Sequence, residues 1–144
     1  MLTLLYDGLC PLCCLEIHFL QQRNTQNNLQ FIDIRHTDFK EEEWGVKIED
    51  LMAIIHARKP DGSYIKGVDV FIASYQAIGL QRLTQLVQVK SVRFLADKAY
   101  IHFAKHRQTI SKILSPFIYI IFYLKGRRAL KNSQRCKEGL CELQ

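Results

Sequence analysis

The sequence predicts an α/β fold in which a βαβ unit and a β-hairpin share one sheet, and three observations carry that prediction. A short apolar-rich run, "LTLLY" (2–6), stops at Asp7-Gly8; helical periodicity then starts at Pro11; and the alternating segment "LQFIDI" follows at 29–34. Two strands separated by one helix in so short a span form a βαβ unit, because parallel strands need a long crossover.

Each element has its own local reason. "LTLLY" reads as a buried strand, and Asp-Gly as the turn that ends it. Pro11 suits a first helical position, where its missing N–H costs nothing and its fixed φ fits the helix. Cys13, Ile17 and Leu20 recur at helical spacing, and the polar "RNTQNN" (23–28) ends the helix. The acidic "TDFKEEEWGVKIEDL" (37–51) reads as a short helix and loop. "MAIIHA" (52–57) and "SYIK" (63–66) flank Lys59-Pro60-Asp61-Gly62, which predicts a hairpin. Val68, Phe71, Ile72, Tyr75 and Ile78 mark an amphipathic helix closed by Gly79, and Val92, Leu95, Ala96, Ala99 and Phe103 mark another over about 91–106. This order, βαβ, hairpin, helix, is that of the thioredoxin fold, and we expect a thioredoxin-like domain over 1–107.

Residues 108–144 then form a basic, partly apolar extension. "ILSPFIYIIFYL" (113–124), interrupted by Ser115-Pro116, is too short to span a bilayer. The first expectation is a buried helix; the second is a membrane-surface or partner-binding segment edged by Lys125, Arg127, Arg128 and Lys131.

The chain has 144 residues, enough to bury a core without metal or disulfide staples. Its five cysteines are therefore not needed to hold it folded. "MLTLL" offers no basic, apolar leader, so a cytoplasmic protein is expected, and in a reducing cytosol close cysteines are more often catalytic or metal-binding than structural. Charge is uneven: residues 1–89 carry 8 basic and 11 acidic side chains, residues 90–144 carry 12 and 3. The excess suits an anionic surface or a solvated basic helix. No recognised nucleic-acid-binding motif accompanies it, so no nucleic-acid partner is expected. Nor is there a phosphate-cradling glycine loop, a Ser-His-Asp arrangement or a dinucleotide fingerprint, so no cofactor is expected.

Chemistry concentrates in "YDGLCPLCC" (6–14). With Pro11 as the first helical residue, Cys10 takes the N-cap, where its sulfur could accept the Cys13 N–H and where the helix terminus favours a thiolate. Cys10 and Cys13 lie i, i+3 on one face, near enough for a disulfide. The expected division of labour has Cys10, at the exposed edge, attacking and Cys13, one turn deeper, resolving. Asp7 is either a buried carboxylate that takes a proton from the resolving thiol or an ordinary turn residue bonding backbone N–H groups. Glu16, one turn beyond Cys13, is expected at a solvated helix position, with a role as base the weaker alternative, and Cys14 is a spare thiol.

"YDGLCPLCCLEIHFL" resembles the DCC family of predicted thiol-disulfide oxidoreductases, named for its Asp-x-x-Cys-x-x-Cys pattern, which Asp7, Cys10 and Cys13 fit position by position. The resemblance runs on through "LQFIDI", "MAIIHARKPDGSYIKGVDVFIASYQAI" and "VRFLADKAYIHFAKHR". It implies a thioredoxin-like fold and thiol-disulfide exchange without naming a target; a disulfide-containing protein or a small-molecule thiol is expected as substrate, and glutathione or a thioredoxin system as reductant. Thioredoxins also place a cis-proline before the hairpin; the prolines here are Pro11, Pro60 and Pro116, and none precedes "MAIIHA". His56 falls in the resembling region, near the cysteines or in the core. Cys136 and Cys141 add a second pair, open to three readings: redox relay with Cys10, zinc ligation together with Cys10 and Cys13, or incidental tail thiols. His102 and His106 have metal-ligand spacing but no nearby partner in sequence, so a solvated face is expected. An adaptor that merely keeps the fold is the remaining class.

Overall fold

Strand β1, Leu2–Tyr6, is buried at all five positions, which explains why its sequence is apolar-rich rather than alternating, with Thr3 bonded to Gln30. It lies inside a four-stranded sheet of order β2-β1-β3-β4, formed with β2 (Leu29–Asp33), β3 (His56–Arg58) and β4 (Tyr64–Lys66). β1 runs parallel to β2 in the register Leu4↔Phe31 and antiparallel to β3 in the register Leu5↔His56; β3 and β4 form the hairpin. The computed structural model that gives this picture describes residues 1–125, with side chains as far as Leu114 apart from Lys112.

Helices cover both faces of the sheet. On one face Leu2, Leu4 and Tyr6 pack with Cys14, Ile17 and Leu20 of α1 (Pro11–Arg23) and Val70 of α4 (Val68–Ala77). On the other, Leu5 packs with Ile34 and with Leu51 of α3 (Ile48–Ala53), and Trp44 of α2 (Glu41–Trp44) joins them. Each fully buried leucine or isoleucine contributes about 1.5–3 kcal/mol. The mixed α/β sheet and its helices are those expected of a thioredoxin-like fold.

Several boundaries differ from expectation. Met52 and Ala53 belong to α3, so the strand expected over 52–57 shrinks to His56–Arg58. The acidic residues Glu49 and Asp50 sit in the first turn of α3, where the helix dipole favours them, and that local preference outweighs the β-prone "MAII". Helix α5 (Gln81–Val87) was not anticipated, because its "QRLTQLV" exposes Leu83 and Leu86 and so lacks a clear buried stripe.

Helix α6 runs without a break from Lys90 to Lys125, through Ser115-Pro116 and across the boundary drawn at 107. The buried-helix expectation for 113–124 fails at Ile113 and Leu114, which are exposed. Among the described residues no helix is long and apolar enough to cross a membrane. Cys136, Cys141, Arg127, Arg128 and Lys131 lie outside the described residues.

Candidate functional site

The turn between β1 and α1 is built by its own backbone. Cys10 N–H donates to the Asp7 carbonyl at 3.1 Å, and Gly8 N–H donates to Asp33 Oδ1 at 2.9 Å. Gly8 allows that approach, since a Cβ there would overlap the Asp33 carboxylate. α1 then starts at Pro11 with Cys10 as N-cap, and Cys13 N–H donates to Cys10 Sγ at 3.4 Å, as the spacing predicts.

Cys10, Cys13 and Cys14 differ in their surroundings, which separates the three thiols. Cys10 is pulled below its ordinary value to about 7, first by its hydrogen bond with the Cys13 side chain, then by the Cys13 N–H and by Arg107; burial and the Asp7 charge oppose the shift. Cys13 is pushed up by the same thiol–thiol bond, by burial and by the Cys10 charge. Burial also raises Cys14, whose thiol donates to the Gly8 carbonyl at 3.2 Å and packs in the core. The expected spare thiol thus helps pin the turn.

One expectation is reversed. Cys10 was expected at the exposed edge, yet it is only 2% exposed, while Cys13 is half-buried. The surroundings are partly non-local, since α6 packs against α1 and carries Arg107 to the turn.

Asp7 is 3% exposed and holds three partners. Its Oδ1 accepts the Leu9 N–H at 3.1 Å and pairs with Arg35 Nε at 3.2 Å, while Oδ2 pairs with Arg107 Nη2 at 3.2 Å. Arg107, 6% exposed, also donates to the Met52 carbonyl at 2.7 Å. A buried carboxylate needs such pairing. The turn role of Asp7 is seen in its bond with the Leu9 N–H, and the structure adds another, the anchor of two guanidinium groups. Neither arginine was singled out from the sequence: Arg35 follows β2, and Arg107 is 100 residues from Asp7. The available signal was the quoted resemblance itself, whose last residue is Arg107.

Glu16 stands one turn beyond Cys13. Its Oε1 is buried without a hydrogen-bond partner among the described residues, and burial raises its pKa while the Tyr75 hydroxyl opposes the rise. Glu16, Cys13 and Arg107 line one cavity of about 160 Å³. Its floor is apolar, with Leu5, Ile17 and Leu51, and its more accessible sides carry Phe71, Tyr100 and Phe103.

The segment before β3 is closed. Ile54 N–H donates to Asp50 O at 3.1 Å and Ile54 O accepts His56 Nδ1 at 2.8 Å; Ile55 N–H donates to Tyr100 Oη at 3.1 Å and Ile55 O accepts Gly67 N–H at 3.0 Å. His56 is buried and its ring locks this loop, in line with the core reading. His102 and His106 lie on an exposed face with ring centroids 4.7 Å apart, and no cluster of three metal-ligating side chains occurs among the described residues.

Comparison with known proteins gives the family. Residues 4–113 match the DCC1-like thiol-disulfide oxidoreductase family. The chain is also 34% identical over 112 residues to the uncharacterized chloroplastic protein At5g50100 of Arabidopsis thaliana, an alignment that covers 76% of this chain and 52% of the relative. The chain thus spans about half the length of the curated relative it matches. No solved structure matches it significantly. A thioredoxin-like sheet with Cys10 and Cys13 at the first strand-to-helix junction, matched over most of its length, makes the chain a member of the DCC1-like thiol-disulfide oxidoreductase family.

Proposed function

We propose that the protein is a thiol-disulfide oxidoreductase in which Cys10 attacks and Cys13 resolves. The observation that carries the proposal is the split between the two thiols: Cys10 is lowered to about 7 while Cys13, one turn along the same helix, is raised. The thiolate is the nucleophile, so at neutral pH Cys10 is the one of the pair able to begin exchange. It bonds to one sulfur of a disulfide and the other sulfur leaves as thiolate. Cys13 must then lose its proton, attack Cys10 Sγ and release the second thiol. Glu16 suits the acceptor role, since it lines the same cavity as Cys13 and its partnerless Oε1 is raised toward neutrality by burial. Asp7 has the indirect role of holding Arg107 near Cys10.

The substrate is a disulfide-bearing protein or small molecule, and glutathione or a thioredoxin system in the cytoplasm returns the pair to the dithiol. The test is a trap. Cys13→Ser, built with Cys14→Ser, should attack a disulfide and stall as a mixed disulfide on Cys10. Failure to trap any disulfide, together with Cys10 alkylation no faster at pH 7 than that of an ordinary thiol, refutes the assignment.

A second reading, as an interaction module, is favoured by one observation. Leu83, Leu86, Val89, Phe94, Leu95 and Ile101 of the α5–α6 region are exposed. Together with the basic side chains of α6 they suit a peripheral contact with an anionic membrane. Salt-sensitive binding to anionic vesicles is the expected outcome, and no binding at low salt removes this reading.

A further inference from the structure

We propose that the cavity beside Cys13 receives the apolar substituent of a low-molecular-weight disulfide, a group the size of an aryl ring, and that such disulfides rather than extended peptides are the preferred substrates. The inference rests on the redox reading above and narrows it. Three observations carry it. The cavity has about 160 Å³ and a mostly apolar lining, and a comparable engineered apolar cavity of about 150 Å³ binds benzene. It is placed for chemistry, because Cys13 is part of its wall and the Cys13 N–H bonds the sulfur of Cys10 at 3.4 Å. Next to it, the N–H and C=O groups of Ile54 and Ile55 all have partners within the chain, so an extended peptide laid along this segment finds no unpaired backbone group. A small molecule needs none.

The chemistry balances. The Cys10 thiolate bonds to the sulfur that carries the apolar group, the substrate S–S bond breaks, and the other half leaves as a thiolate that takes a proton from solvent. Cys13 gives its proton to Glu16 and attacks Cys10 Sγ, forming the Cys10–Cys13 disulfide. The apolar thiolate is expelled on the cavity side and takes the proton back from Glu16. The substrate gains two electrons, the dithiol loses two, and a thiol reductant such as glutathione restores it.

The probes are the mixed disulfide of 2-phenylethanethiol with 2-mercaptoethanol, bis(2-hydroxyethyl) disulfide, and insulin. The first two are alkyl disulfides that share a 2-hydroxyethyl half, so their intrinsic reactivity differs little; every rate is divided by that of the same disulfide with free dithiothreitol, which corrects for the access and leaving thiols of insulin. Single-turnover oxidation of the reduced full-length protein should be at least tenfold faster with the phenylethyl compound than with either of the others, per disulfide. Ala104→Phe fills the cavity from α6, where Ala104 is 7% exposed, and should erase that preference while leaving Cys10 alkylation by iodoacetamide unchanged. Ala104→Leu is the milder fill should the larger one not fold, and the wild-type comparison stands without either. Equal rates for the phenylethyl and hydroxyethyl disulfides, or faster reduction of insulin, overturn the inference while the redox reading survives. Reduction of none of the three overturns both.

Discussion

The first turn of α1 and the segment before β3 converge beside the end of β1, and they finish their polar groups in opposite ways. At Ile54 and Ile55 every backbone donor and acceptor has a partner within the chain. At α1 the N-cap that satisfies Cys13 N–H is itself a thiol lowered to about 7, so the group closing the helix is also the group able to react. The difference teaches that a bond between two thiols one turn apart, helped by the capping N–H, can decide which sulfur of the pair is charged.

The largest break in this comparison comes from removing its reactive side. Cys10→Ser should abolish disulfide reduction, and Cys13→Ser should abolish turnover while preserving the first attack, both read by single-turnover thiol release. Glu16→Gln comes next. If Glu16 accepts the Cys13 proton, the resolving step should slow by about 100-fold, within the usual range for loss of a general base. The first attack should be unchanged. The wild-type resolving step should also weaken as pH falls through the raised Glu16 pKa, and the variant should lose that limb.

Arg107→Gln weakens the link between α6 and the turn. The Cys10 midpoint should rise above about 7 in a pH series of iodoacetamide rates, since Arg107 is one of the groups that lower it. Stability should fall by about 3 kcal/mol in urea, the low end for breaking a buried pair, because Arg35 still faces Asp7. The sign of the linkage is fixed. A thiol depressed on folding stabilises the native state fully above its unfolded pKa of about 8.5 and loses that contribution as pH falls through about 7. Tyr100→Phe opens the closed side instead, freeing the Ile55 N–H at a cost of about 1–2 kcal/mol, with the Cys10 midpoint nearly unmoved.

The legible parts of the molecule were those set by near neighbours in sequence. Pro11 at the first helical position, Cys10 as N-cap and the Cys13 N–H bond all follow from four consecutive residues, and the sheet follows from strand periodicity and turn chemistry. What was not legible depended on α6. Position alone made Cys10 look exposed, yet it is buried, and a helix that returns to the turn 100 residues later supplies the guanidinium that helps lower Cys10 and makes Asp7 an anchor. The start of β3 was misread for a different reason: "MAII" has strand-like residues, but the acidic turn before it favours a helix through Ala53.

A redox titration of the reduced protein in glutathione buffers, with thiol counting and peptide mapping at each step, bears most directly on the central claim that Cys10 and Cys13 act as one reversible couple. The account predicts a single two-electron transition between roughly −120 and −320 mV, with a Cys10–Cys13 disulfide as its product. Persistence of both thiols across that range, or a disulfide that joins either of them only to other cysteines, would contradict it.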